Sequence, residues 1–287
     1  MTHCLFVSDL HGKTERYQNL LSAIAHKRPD FVFLGGDILP SGIASLTSSG
    51  LALSDFINSY LIPQFSTLRD TLADRYPDIF IILGNDDARY EEENLIRGES
   101  DGLWHYAHNS KFTYRGINIY GYSYVPPTPF MLKDWERYDV SAYVDPGCVP
   151  PDQGFRTVPV SEYEIRYSTI AEDLNNLTNG DDLSKSVMLF HAPPYNTNLD
   201  HAALDGKFVD HVPLDPHIGS IAIQRFIESR QPLITLHGHV HESARLTGAW
   251  HEKMGETYAY NAAHDGPELA LVEFNLESPE KAIRELI

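Results

Sequence analysis

Short apolar runs rich in β-branched and aromatic residues recur along this chain, and each stops against Gly, Asp, Asn or His. Residues 4–8 lead into Asp9-Leu10-His11, residues 31–34 into Gly35-Gly36-Asp37, and residues 79–83 into Gly84-Asn85-Asp86-Asp87. Residues 187–190 lead into His191, and residues 233–236 into His237-Gly238-His239-Val240-His241. Apolar runs without polar alternation predict central strands buried on both faces. Between the first two, Tyr17, Leu20, Leu21 and Ile24 stand at i, i+3, i+4 and i+7, the stripe of a helix packed back on a sheet. The pattern is α/β. In open α/β sheets, ligands gather beyond the carboxyl ends of the strands, which sends Asp9, His11, Asp37, Asn85, His191, His239 and His241 into one crevice.

Other elements follow from the same periodicities. A helix is expected over about residues 51–75, with Pro63 breaking or kinking it. Ser161 with Glu164 forms a capping box for a helix whose Tyr163, Tyr167, Ile170, Leu174 and Leu177 share a face. Another helix is expected over residues 219–229. Residues 257–261 and 269–274 read as strands, and 111–114 with 117–120 as a hairpin about Arg115-Gly116. With 287 residues, 42% of them hydrophobic, the chain is expected to form one domain over 1–287. Residues 122–160 interrupt the rhythm with prolines and with Tyr124, Trp135, Tyr138, Tyr143 and Phe155. So long an aromatic loop argues for order and for function, and it is the expected wall of a substrate pocket.

The formal net charge of -18 disfavours broad, backbone-driven nucleic-acid binding. No apolar run reaches the length of a membrane span, and the opening Met1-Thr2-His3-Cys4 carries no signal-peptide pattern, so a cytoplasmic protein without membrane partners is expected. Oligomeric state leaves no mark in the sequence. Cys4 and Cys148 provide neither a disulfide framework nor a thiolate metal site. Any metal chemistry here uses nitrogen and oxygen donors.

Carboxylate, amide and imidazole donors converging beyond the strands read as ligands for two adjacent divalent cations, and hydrolysis of a phosphate ester is the expected chemistry. Taken singly, each residue has a plainer role: an Asp caps a helix, an Asn makes a turn, a buried His is hydrogen-bonded. Their order is what carries weight. It resembles the calcineurin-like metallophosphoesterase superfamily, with its D-x-H, G-D, G-N-H-[DE], lone H and G-H-x-H motifs, over nearly the whole chain from Asp9 to His241. The resemblance implies a four-layer α/β/β/α sandwich of two mixed β-sheets flanked by helices. It also implies one metal held by Asp9, His11, Asp37 and His241, and a second by Asn85, His191, His239 and the bridging Asp37. A metal-bridging hydroxide would then attack a small-molecule phosphoester directly. Mn, Fe or Zn suit these donors, with Mg, Co or Ni as alternatives.

The chain departs from that pattern where the superfamily places the His of G-N-H-[DE]. Here stand Asp86 and Asp87, which become the candidate catalytic residues in place of the usual acid. A negative charge at Asp86 penalises a dianionic monoester more than a monoanionic diester, because the Coulomb energy scales with substrate charge; phosphodiesters are therefore the expected substrates. Its plainer role is to brace a turn. Pro40 stands where many relatives carry Asp or Asn, which removes a support for the metal ligands. Asn85, Arg137 and Arg156 are candidate substrate contacts, with Lys133 beside them, and solvated loop charge is the alternative for the basic residues. His105, His108, His201, His211, His217 and His264 are further candidates for the missing acid, and His237 for a hydrogen bond to the metal ligands. Gly12-Lys13-Thr14 lacks the first glycine of a P-loop. A haloacid-dehalogenase-like mechanism with Asp9 as nucleophile would want a carboxylate at His11. The remaining alternative is a metal-stabilised phospho-ligand binding protein with little turnover.

Overall fold

The structure, a computed structural model, describes residues 1–42 and 55–287. Its first sheet carries β1 (His3–Val7), β2 (Phe31–Gly35), β3 (Asp78–Ile82) and β4 (His105–Tyr106), all parallel. The second sheet contains β5 (Ser110–Tyr114), β6 (Ile117–Tyr122) and β7 (Ser186–Phe190). A small hairpin, β8 (Phe208–Val209) with β9 (Val212–Pro213), stands apart. The second sheet then gains β10 (Ile234–His237), β11 (His251–Met254) and β12 (Thr257–Asn261), and the chain returns to the first with β13 (Ala270–Asn275) and β14 (Ile283–Leu286). The strand orders are β14-β13-β1-β2-β3-β4 and β11-β12-β10-β7-β6-β5. Both sheets are mixed, with parallel centres and antiparallel pairing at one margin of the first sheet and at both margins of the second.

Period-two alternation divides each central strand between two cores. Cys4, Phe6, Phe31, Phe33, Phe80 and Ile82 face the space between the sheets, where Val187, Leu189, Ile234 and Leu236 meet them. Leu5, Val7, Val32, Leu34, Ile79 and Ile81 belong instead to the cluster that holds Tyr17, Leu20 and Ile24 of the Thr14–Lys27 helix. Two-sided burial is why these runs lack polar alternation. Phe80 packs edge-on against Phe112 and Tyr114 at 5.6 and 5.4 Å and so interlocks the two sheets. Burial of such side chains contributes about 1.5–3 kcal/mol each.

The helices differ from expectation in instructive ways. Residues 51–54 of the expected 51–75 helix lie outside the described residues. The rest is a π-helical turn, Ile57–Leu61, that passes directly into the Ile62–Leu72 α-helix. Pro63 is the second residue of that α-helix, so the run changes from π to α geometry next to the proline, whose missing N–H interrupts the regular ladder there. The helix expected after Ser161 is two helices, Glu162–Tyr167 and Ile170–Thr178. Ser161 caps the first by accepting the Glu164 amide at 3.1 Å, and Thr169 starts the second by accepting the Glu172 amide at 3.2 Å. The break divides the expected face: Ile170 and Leu174 are buried while Tyr163 and Tyr167 are exposed. The Ile221–Arg230 helix falls where expected and is capped by Ser220.

Residues 122–160 are irregular but well packed. Single bridges pair Val125 with Glu136 and Leu132 with Phe155, and Tyr124, Leu132 and Trp135 are buried. Phe130, Tyr143 and Phe155 are exposed, so the aromatic content serves both the interior and the surface.

Candidate metal centre

The loops that follow β1, β2, β3, β7 and β10 are clipped to one another by backbone hydrogen bonds. The Asp9 amide donates to Gly36 O at 2.9 Å, and the His11 amide to Asp37 O at 2.8 Å. Asp86 N donates to Asp37 Oδ1 at 2.8 Å, and the His239 amide to Asp9 Oδ1 at 3.1 Å, joining second sheet to first. Asp9, His11, Asp37 and His239 all hold positive φ, between 49° and 73°. Left-handed backbone at non-glycine residues costs about 1–3 kcal/mol each and concentrates at functional sites. The motif glycines leave room for ligands. A Cβ on Gly84 would lie 2.4 Å from Asp37 Oδ1, and one on Gly238 would lie 2.5 Å from Asp9 Oδ2.

Asp9, His11, Asp37 and His241 each offer a ligand atom within 4.8 Å of the others, a set that could hold a metal ion. His11 Nε2 and His241 Nε2 face each other at 3.2 Å, and His241 Nε2 lies 3.1 Å from Asp9 Oδ1. Beside them, His191 Nε2 lies 3.1 Å from Asn85 Oδ1 and 3.4 Å from Asp37 Oδ2. The His239 ring packs against His191 at 5.3 Å. Asp37 Oδ2 is also 4.0 Å from His11 Nε2, so one carboxylate oxygen faces both groups. His191 Nδ1 pairs with Gly35 O at 2.8 Å; that bond keeps a proton on Nδ1, so Nε2 is the nitrogen a cation in the cleft would meet.

Electrostatics follow from that crowding. Burial works to raise the Asp9 carboxyl, but the His241 hydrogen bond and charge, with His191, hold it at about 2. Asp37 is likewise depressed against burial, chiefly by His191 and then His11. Burial works to lower His11 and His191, yet both rise to about 9: His11 through Asp86, Asp37 and Asp9, His191 through Asp37 and Asp9. His239 falls to about 3 because burial, reinforced by the charge of His191, prevails. Without a cation the cleft balances its carboxylates with imidazolium protons. A divalent ion would displace those protons, and the N/O donor set fits such an ion.

The other sequence candidates lie as follows. Asp86 Oδ2 is 3.3 Å from His11 Nδ1, and its Oδ1 accepts the Ser41 hydroxyl at 2.8 Å. Asp87 is fully buried and accepts the Leu39, Gly84 and Ile38 amides at 2.8, 2.8 and 3.1 Å, which ties the β2 loop to the β3 loop. Burial, with the charge of Asp37, lifts its carboxyl to about 8. Arg137 stacks 4.0 Å over Tyr124 and pairs with Asp173 at 2.6 Å and Glu164 at 2.5 Å. Arg156 donates to Pro151 O at 2.7 Å, and Lys133 is buried against Glu136. Both ring nitrogens of His237 are engaged, by Ala192 O and Thr235 Oγ1 at 2.8 Å. His201 pairs with Asp205, His217 with Asp200, and His264 with Glu268. His105 lies against the Tyr114 hydroxyl, and His108 accepts the Ser123 amide. His211 sits in the turn between β8 and β9 at φ 69°. The geometry thus gathers the Asp, Asn and His set and leaves the basic loop residues in separate ion pairs and backbone contacts.

Sequence reading missed Arg16. Its buried guanidinium donates to Asp9 O and Gly266 O, each at 2.5 Å, and fastens the β1 loop to the segment before β13. An arginine on the first helix's inward side was the available signal. Leu132 was also unforeseen: a Cβ on Gly42 would meet both Leu132 Cδ2 and Asp86 O at 3.0 Å, which places Leu132 beside Gly42, whose amide donates to Asp86 O at 2.8 Å.

Comparisons with known proteins identify the family and the fold. The family model described as calcineurin-like phosphoesterase matches residues 2–243. The protein TT1561 of Thermus thermophilus shares 16% identity and superposes with a TM-score of 0.56 over 99% of this chain and 98% of that one. A dimetal phosphatase from Danio rerio shares 12% identity with a TM-score of 0.54 over 99% and 95% of the two chains. These likenesses concern the fold. Among curated proteins, none matches the sequence. Among the described residues, no helix is long and apolar enough to cross a membrane.

Proposed function

The chain belongs to the calcineurin-like phosphoesterase family and is a metallophosphoesterase, and we propose that it hydrolyses small phosphodiesters at two divalent cations held between its sheets. The observation that carries this reading is the shared position of Asp37 Oδ2, 4.0 Å from His11 Nε2 and 3.4 Å from His191 Nε2. One cation is assigned to Asp9, His11, Asp37 and His241, the other to Asn85, His191, His239 and the same Asp37. Mn, Fe or Zn are the proposed ions, with Mg, Co or Ni as alternatives. Bound there, such ions supply Lewis acidity and lower the pKa of water toward neutrality.

The chain's own residues set the rest. The carboxylates of Asp9 and Asp37 draw cations into the cleft, and the left-handed turns hold their donors in place. Asn85 offers Oδ1 on the His191 side and keeps an amide N–H for a phosphoryl oxygen. Asp87 braces the two loops that present Asp37 and Asn85. Residues 122–160 wall the site on the Asp86 side, where Leu132 lies beside Gly42. The Asp86 side chain, 25% exposed, adds negative charge at the rim, and that charge opposes a dianionic monoester more than a diester. With the protein loaded with Mn, kcat/KM for a bis-aryl phosphate is expected to exceed that for a mono-aryl phosphate by about tenfold or more, a difference of ~1.4 kcal/mol in transition-state binding. A clear monoester preference overturns the diester assignment.

A further inference from the structure

We propose that Asp86 is the positioning residue that fixes which nitrogen of His11 faces the metal, an inference resting on the assignment of His11 as a ligand. The two ring nitrogens of His11 meet different surroundings. Nδ1 lies 3.3 Å from Asp86 Oδ2, whereas Nε2 points to His241 Nε2 at 3.2 Å and toward Asp37 Oδ2 at 4.0 Å. A carboxylate on Nδ1 holds the proton there and leaves the Nε2 lone pair for a cation.

Asp86 is itself held from several directions. Its Oδ1 accepts the Ser41 hydroxyl at 2.8 Å, its amide donates to Asp37 Oδ1 at 2.8 Å, and its carbonyl accepts the Gly42 amide at 2.8 Å. The residue therefore sits where the loops after β1, β2 and β3 meet, with its carboxylate aimed at one ring. His191 is oriented by another means, the neutral Gly35 carbonyl at 2.8 Å from its Nδ1. One position of the pair thus relies on a charged acceptor and the other on a backbone acceptor. The Asp86 contact, at 3.3 Å, acts through the full charge of the carboxylate, whereas Gly35 offers only a carbonyl dipole. Loss of the Asp86 carboxylate should accordingly weaken one metal position and spare the other.

Zinc titration of the metal-free full chain, followed by calorimetry with a competing chelator, tests this directly. Wild type is expected to take up two ions. Asp86→Ala is expected to lose about 10- to 100-fold in affinity at one position, the usual effect of removing a hydrogen-bond partner of a metal ligand, with the other unchanged. In ¹⁵N-histidine spectra of the zinc-loaded protein, the His11 Nδ1–H should be protected in wild type and exchange freely in Asp86→Ala. Asp86→Asn keeps an acceptor and should recover the protected proton and part of the affinity; being nearly isosteric, it carries the test should Asp86→Ala not fold. Equal affinity at both positions with an unchanged His11 signal in the variants overturns the proposal alone. Equal weakening of both positions also overturns it, since that marks a general structural role. A wild type that retains fewer than two zinc ions overturns the dinuclear reading and this inference with it.

Discussion

Histidine is used in opposite ways in two adjoining parts of this molecule. In the cleft, His11 and His191 lie among Asp9, Asp37 and Asp86 and are lifted to about 9. Beyond the ends of β4 and β6, His108 packs edge-on against Trp135 at 4.8 Å and Tyr124 at 5.3 Å. Burial, then the positive charges of Arg89 and Arg137, push it down to about 3. Burial acts in the same direction on all of these rings. The sign of the neighbouring charge decides the outcome. One region is thereby prepared to exchange protons for cations, and the other keeps a neutral ring as a spacer and hydrogen-bond acceptor.

The sharpest way to break that contrast is to remove the charge the two proposed metal positions share. Asp37→Asn preserves shape but removes the negative charge at the junction, and phosphoesterase activity is expected to fall roughly 10³-fold, the scale of losing a principal electrostatic element. Folding should persist, as read by circular dichroism. Wild-type kcat/KM in this variant would remove Asp37 from the centre of the mechanism.

A comparable perturbation on the other side targets stability. Lys133 and Glu136 are both fully buried and paired, and Lys133 also donates to Thr128 O at 2.9 Å. Burial lifts the Glu136 carboxyl to about 7 against the pull of Lys133. Lys133→Ala leaves that carboxylate without its counter-charge, which for buried pairs costs about 3–5 kcal/mol. A drop in urea-unfolding free energy much below 1 kcal/mol would show that the segment tolerates the unpaired group.

The proton contrast itself can be titrated in chelated protein. A ring whose folded pKa is raised to about 9 contributes stability that is complete below its unfolded value of about 6.5 and is lost as pH rises through 9. His108 behaves in reverse: its contribution is complete above about 6.5 and is lost as pH falls toward 3, at about 1.4 kcal/mol per pH unit. His108→Asn keeps an acceptor for the Ser123 amide but does not titrate. It should flatten the acid limb of stability against pH while leaving the alkaline limb unchanged. Identical acid limbs in the two proteins would mean that His108 is not held neutral.

The same contrast explains what the sequence made legible. Asp9, Asp37, Asn85 and His191 follow strands buried on both faces, and strand-end position plus residue type sufficed to bring them together. β4, β11 and β14 escaped notice because they are short or marginal strands whose pairing depends on neighbours more than on their own pattern. The division of the helix after Ser161 was hidden because Thr169 restarts it through a local cap, and the periodicity of apolar residues runs through the break. Partnerships of charged side chains were the least legible. Nothing in the sequence placed Asp86 against His11 or joined Arg137 to Asp173 and Glu164, since those pairs depend on how distant loops stack.

The two arginines read from sequence as phosphate contacts give the finest test. Arg137 has one acid on each terminal nitrogen and Tyr124 beneath it, so Arg137→Ala strands two carboxylates and should cost about 2 kcal/mol or more of stability. Arg156 makes one hydrogen bond to the Pro151 carbonyl, worth about 1 kcal/mol, so Arg156→Ala should shift stability by that much or less. KM and thermal stability measured together separate support from substrate contact. If Arg156 only secures its loop, KM changes less than about twofold while stability falls slightly, because screened loop charges contribute little at a distance. If it reaches substrate, KM rises with stability unchanged, and the boundary between the cation-binding cleft and its arginine-rich flank would have to be redrawn to include the flank in recognition.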